Sequence, residues 1–147
     1  MSLYFAIIFT LNNKGATMQL LKSFFRKPGQ TTEVNLDLND LNGFLDIGGL
    51  SYIKEIEATS DTLVSKVKKL LASEDEIYNL KSAKVAIVHF YSRPIFDFEA
   101  VEKTMEAIND FLGDNVKDVY FGTNSHPRYT KDMITCGIML GGIEQRK

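Results

Sequence analysis

Asn35, Asp37 and Asp40 set one amide and two carboxylates at spacing i, i+2, i+5 within the segment Val34-Asn35-Leu36-Asp37-Leu38-Asn39-Asp40-Leu41. If a helix begins here, Asp37 and Asp40, three apart, project from its first turn on nearly the same side. Two carboxylates so placed can hold a water molecule against a substrate. The same residues also suit a structural role, because Asp is a favoured N-cap and a second acid in the first turn complements the positive end of the helix dipole. The spacing is compatible with both uses.

The other residue types able to do chemistry are sparse. There are two histidines, His89 and His126, and one cysteine, Cys136. Neither histidine has a neighbour at metal-ligand spacing, so no metal site and no Cys/His nucleophile is expected. His89 falls inside an apolar run and reads as a packed histidine. His126 precedes Pro127 in a turn, which favours a conformational role. A lone cysteine cannot form an internal disulfide, in keeping with a reducing compartment. The only adjacent glycines, Gly48-Gly49 and Gly141-Gly142, do not lie between a strand and a helix in a phosphate-binding pattern. The chain is therefore not expected to bind a nucleotide or other cofactor by itself. Arg93-Pro94 reads as a surface contact or a turn, and Lys66, Lys68 and Lys69 as the solvated face of a helix.

The chain has 147 residues, 44% of them hydrophobic and 24% charged, with a formal net charge of -2. That is enough for one domain with a stable core, and too apolar for a disordered chain. The lysines are scattered and form no stripe that would follow a phosphate backbone, so nucleic acid is not an expected partner. The apolar run from Leu3 to Leu11 is far shorter than the roughly 20 residues of a spanning helix. It also lacks the basic start and cleavage site of a signal peptide, and the expected location is the cytoplasm.

Several elements must position the acidic segment. Residues 3 to 14 combine strand-like composition with apolar residues at helical spacing, and both conformations stay open there. A helix is expected from Ala16, ended by Pro28-Gly29, and Gln30-Thr31-Thr32-Glu33 reads as a loop. Leu38, Leu41, Phe44 and Leu45 give a short helix its buried face, stopped by Gly48-Gly49. Leu50 to Ala58 reads as a strand whose uneven alternation points to a bulge. Thr59 or Ser60 caps a helix with Leu63, Val67, Leu70 and Leu71 on its apolar face. Residues 84 to 91 are apolar on both faces, as in a central strand covered on both sides. Asp97 caps a second helix carrying Phe98, Val101, Met105, Ile108 and Leu112, closed by Gly113. Strands at about 117 to 123 and 131 to 140 follow, joined by Asn124 to Tyr129 as a hairpin connection. The order β-α-β-α-β-β predicts an α+β fold, a four-stranded mixed sheet with two packed helices.

Read with its surroundings, the acidic segment resembles the FtsZ branch of the FtsZ/tubulin family. Asn35, Asp37 and Asp40 match the family's Asn-x-Asp-x-x-Asp loop. Lys84 to Tyr91 looks like the central strand of its C-terminal domain, and Phe121-Gly122-Thr123-Asn124-Ser125-His126-Pro127 like its late strand and turn. The resemblance spans roughly residues 34 to 142. It implies a central-helix-like N-terminal segment over 1–29 and an FtsZ C-terminal-like domain over 30–147, with the acidic loop at 34–41. His126 stands where the family usually has Asp before the proline.

The resemblance implies that this domain lacks the family's GTP-binding domain and works in trans. GTP would sit on a partner subunit, and Asp37 and Asp40, with Asn35, would orient the attacking water there, phosphoryl transfer depending chiefly on positioning and charge control. It implies a filament-forming, cell-division or cytoskeletal role, or alternatively a non-enzymatic module that caps or regulates such filaments. Without the nucleotide domain, apolar residues such as Phe5, Ile8 and Phe9 lose their cover. A homo-oligomer through the N-terminal segment, or a strand where relatives have helix, is the expected result.

Overall fold

The computed structural model describes residues 7–10, 31–34, 47, 49–94, 97–127 and 131–144. Its elements are β1 (Ile7–Thr10), β2 (Thr31–Val34), β3 (Leu50–Ala58), α1 (Leu63–Tyr78), β4 (Val85–Ser92), α2 (Phe98–Leu112), β5 (Asp118–Ser125) and β6 (Ile134–Ile143). They build one mixed sheet in the order β1-β3-β6-β4-β5-β2. The expected four-stranded mixed sheet with two helices forms its centre, β3-β6-β4-β5, and β1 and β2 extend it at the two edges. Of the two conformations open for residues 3 to 14, the strand is the one adopted by Ile7–Thr10. The expected helices from Ala16 and around Leu38 to Leu45 lie outside the described residues.

The connections explain where the helices sit. β4 and β5 are parallel, whereas β6 runs antiparallel to both β3 and β4. β3 and β4 are therefore parallel, with β6 between them. The crossovers β3-α1-β4 and β4-α2-β5 move in the same direction across the sheet. Right-handed crossovers of that kind put both helices on one face. Val67 and Leu71 of α1 and Val101, Ile108 and Leu112 of α2 accordingly share one core with Tyr52, Ile56, Val88, Phe90, Cys136 and Ile138 from the sheet. β4 is buried along its whole length, as its two-sided apolar pattern predicts.

Local chemistry sets the element ends. The Asp97 carboxylate accepts the Ala100 backbone N–H at 3.0 Å, the expected N-cap of α2. Gly113 closes that helix at φ 67°, its N–H donating to the Asn109 carbonyl. α1 starts differently: Thr62 occupies the cap position, and the carbonyl of Thr59 accepts the N–H groups of Thr62 and Leu63. Ser60, named as a possible cap, donates instead to Asp132. Phe98 also departs from its expected place on the buried face, being 51% exposed in the first turn. Ala100, Thr104 and Ala107 are buried in α2. Strand β3 keeps its expected bounds, and its register shifts between Leu50 and Tyr52, at the start of the strand.

Two expectations are corrected. Thr31–Val34 is a strand, not part of a loop, and pairs with β5. β5 and β6 are not a hairpin, because β4 lies between them. In both cases long-range pairing overrides a local signal: composition identifies a connection as short and polar without saying which strands it joins.

The paired glycines serve the sheet. Leu50 of β3 pairs with Ile143 of β6, and this brings Gly49 (φ 75°) beside Gly142 (φ 71°). A Cβ on Gly49 would lie 3.2 Å from the Gly142 Cα, and one on Gly142 would lie 2.6 Å from a side-chain carbon of Ile47. Positive φ and the close approach both call for glycine here.

Candidate functional site

Asn35, Asp37 and Asp40 lie outside the described residues. Their anchor is described. Val34, which immediately precedes Asn35, closes β2 opposite Thr123 of β5, while Thr31 pairs with Ser125 and Thr32 with Asn124. The pairing is irregular between Thr32 and Val34. The start of the acidic segment is thus tied to the stretch Phe121 to Pro127. Val34, the first residue of the acidic segment, and the stretch from Phe121 meet at the β2–β5 seam.

That seam is polar and buried. Thr123, Asn124 and Ser125 are each 5% exposed or less. A buried polar side chain is stable only when hydrogen-bonded. Asn124 Nδ2 meets His89 Nε2 on the neighbouring strand β4, both side chains being buried. His89 is therefore the packed histidine expected from sequence, with a structural partner that the sequence did not reveal. His126 donates its backbone N–H to the Ser92 carbonyl at 3.1 Å, which ties the end of β5 to the end of β4.

A small open cleft lies at the C-terminal end of β4, where the starts of both helices converge. Ser60, Ser92, Arg93, Asp97, Asp132 and Met133 line it. Its polar groups are largely engaged within the protein. Ser60 Oγ donates to Asp132 Oδ1 at 2.5 Å, Ser92 Oγ donates to the Arg93 carbonyl at 2.9 Å, and Asp97 caps α2. Arg93, read from sequence as a surface contact or a turn, lies partly buried on the wall of this cleft.

A second polar pair escaped sequence reasoning. Lys54 of β3 lies 3.6 Å from Glu74 of α1, their side chains 9% and 14% exposed. A pattern did mark them: Lys54 shares strand parity with Tyr52, Ile56 and Ala58, and Glu74 falls three after Leu71 and seven after Val67. Burial, with the Glu74 charge as a lesser cause, raises the Tyr52 phenol well above its ordinary ionisation range. Burial likewise pushes up the thiol of Cys136, which is no poised nucleophile. Lys66, Lys68 and Lys69 are exposed, as expected of a solvated helix face. Among the described residues no cluster of three or more His, Cys, Asp or Glu could hold a metal ion, and no helix is long and apolar enough to cross a membrane.

No family model and no curated protein matches the chain. Solved structures do match by fold. A dimer of FtsZ from M. jannaschii superposes with a TM-score of 0.61 at 18% identity, covering 76% of this chain and 32% of that one. A mutant of the same FtsZ gives 0.64 at 16% identity, covering 88% and 40%. TubZ from Bacillus thuringiensis serovar israelensis, in GDP-form protofilaments, gives 0.63 at 17% identity, covering 90% and 36%. The chain shares its fold with these tubulin/FtsZ-type proteins and spans 32 to 40% of their lengths.

Proposed function

We propose that this chain acts as the C-terminal, activating domain of an FtsZ-like filament-forming GTPase, with Asn35, Asp37 and Asp40 completing a GTP site carried by a neighbouring subunit. The observation that carries this proposal is the β2–β5 seam: the residue before Asn35 is hydrogen-bonded into the sheet of an FtsZ-type fold. A root fixed to the sheet would favour the pre-organisation that water positioning demands. Asp37 and Asp40 would orient the water by accepting its hydrogen bonds, and Asn35 would add a neutral hydrogen-bonding group. The nucleotide itself belongs to the partner, so hydrolysis by this chain alone is not expected. Cell division or a related cytoskeletal process is the setting that such a role would serve, in the cytoplasm.

The test is phosphate release from a matching GTP-binding domain, with and without this chain. Added chain is expected to raise turnover, and Asp40→Ala to abolish the increase while leaving the fold intact by circular dichroism. Equal hydrolysis with the parent and the Asp40→Ala chain removes the catalytic role. A second reading, a non-enzymatic module that caps or regulates filaments, is separated from the first by the same assay. Binding to filament ends without a change in turnover per site would select it.

A further inference from the structure

We propose that Arg93 is a further member of the trans-acting site, its guanidinium binding the γ-phosphate of the nucleotide held by the partner subunit. This deepens the GTPase reading and rests on it. Of the described lysines and arginines, only Lys54, Lys84 and Arg93 are buried or half-buried. Lys54 lies 3.6 Å from Glu74, and Lys84 lies 3.9 Å from Glu144. Arg93 alone of the three has no ion pair, and its guanidinium has no hydrogen bond, among the described residues. The two carboxylates lining the same cleft are committed elsewhere, Asp97 to the Ala100 N–H and Asp132 to the Ser60 hydroxyl. A permanent cation drawn partly out of water without a counter-charge is unfavourable, and such a departure marks a place where a ligand can supply the missing charge.

The backbone carrying Arg93 is held from both sides. Ser92 Oγ donates to the Arg93 carbonyl at 2.9 Å, the His126 N–H donates to the Ser92 carbonyl at 3.1 Å, and Pro94 follows. A binding group mounted on fixed backbone loses less freedom when it engages. Val34 stands opposite Thr123, and Thr123 opposite Phe90, three residues before Arg93. Two strand spacings and three residues then separate Val34 from Arg93, roughly 10 Å in each direction. A triphosphate engaged by Asp37 and Asp40 would lie within reach of Arg93. In the hydrolysis the water oxygen bonds to the γ-phosphorus, and the bond from that phosphorus to the β–γ bridging oxygen breaks, its electron pair staying with GDP. One water proton remains on the phosphate and the other passes to solvent. Negative charge gathers on the γ-phosphate and bridging oxygens, beside two carboxylates that add their own. A guanidinium fork offsets that charge with paired N–H donors.

The test is phosphate release from GTP by the matching GTP-binding domain, over a range of chain concentrations that separates saturated turnover from the half-saturating concentration. Arg93→Ala is expected to lower saturated turnover by about tenfold or more while the half-saturating concentration stays within about threefold. Arg93→Gln should match it, and Arg93→Lys should keep part of the turnover. Free guanidinium chloride should restore part of the turnover of Arg93→Ala, which a merely structural loss would not show. Lys68→Ala, at an exposed position of α1, should leave both constants unchanged. Should Arg93→Ala lose its fold by circular dichroism, Arg93→Gln, which keeps length and polarity, decides alone. A higher half-saturating concentration at unchanged turnover would make Arg93 a docking residue and overturn the proposal. An increase that Asp40→Ala abolishes and Arg93→Gln retains overturns it while leaving the GTPase reading in place; no increase with the parent chain removes both.

Discussion

The two faces of β4 solve burial in different ways. On the helix-covered face, Ala86, Val88 and Phe90 join the core shared with α1 and α2. On the opposite face, Val85, Ile87, His89 and Tyr91 are equally buried, but His89 there meets Asn124. One face is held by shape and apolar area. The other combines area with a directional bond to β5, next to the seam where β2 and the root of the acidic segment are attached. A slack apolar core still folds, whereas a hydrogen bond fixes one register. The polar face is thus the one suited to positioning a site.

Removing mass from the apolar face should have the largest effect. Phe90→Ala empties a fully buried position and is expected to cost about 3–5 kcal/mol. His89→Leu keeps most of the volume but takes a partner from the Asn124 amide, and about 1–3 kcal/mol is expected. Urea unfolding gives both values. The faces would also separate in function: His89→Leu should loosen the β2–β5 seam, so amide exchange of Thr123 and Asn124 accelerates more than that of core residues such as Val88. Equal acceleration everywhere would mean that the two faces are held alike.

The Lys54–Glu74 pair is the exception on the apolar side, and it sharpens the contrast. Breaking a buried pair leaves one charge without its partner, while replacing both residues by apolar ones of similar size is often neutral. Both side chains keep a little contact with water, so Glu74→Leu alone is expected to cost about 2–3 kcal/mol, below the range for fully buried pairs. Lys54→Met with Glu74→Leu should return to within about 1 kcal/mol of the parent. A double variant as unstable as the single one would mean that the pair stabilises the fold directly instead of merely satisfying its own burial.

What could be read from sequence follows the reach of each signal. Leu50–Ala58 and the helix Phe98–Leu112 were legible because apolar period, Asp97 and Gly113 are local and agree with one another. The insertion of β6 between β3 and β4 was not, since nothing in a strand names its neighbour. Thr31–Val34 was missed for the same reason: three polar residues and a valine become a strand only because β5 offers an edge. Asn35, Asp37 and Asp40 were legible as a motif, whereas the His89–Asn124 bond joins residues 35 apart and leaves no local pattern. At identities of 16 to 18%, the likeness to FtsZ and TubZ is one of fold.

The smallest effect separates the faces by pH. The helix face carries two acids kept neutral by burial, Tyr52 and Cys136, both raised above their ordinary values of 10.0 and 9.0. In the unfolded chain these groups ionise near those ordinary values, while in the folded chain they keep their protons. The folded state then binds more protons, and stability must fall as pH rises past about 9. Each group can contribute up to about 1.4 kcal/mol per pH unit beyond its ordinary value. Tyr52→Phe isolates the phenol. The Tyr52 hydroxyl is buried beside the Glu74 carboxylate without a well-formed hydrogen bond, and its ring packs against Tyr78 at 5.9 Å, a contact that phenylalanine preserves. Near pH 8 the variant should therefore match the parent or exceed it by about 1 kcal/mol. Above pH 10 its stability should fall less steeply than the parent's, in urea unfolding followed at closely spaced pH values. Parallel alkaline slopes would show that the phenol ionises as readily folded as unfolded, and that the apolar face admits water where Tyr52 is packed.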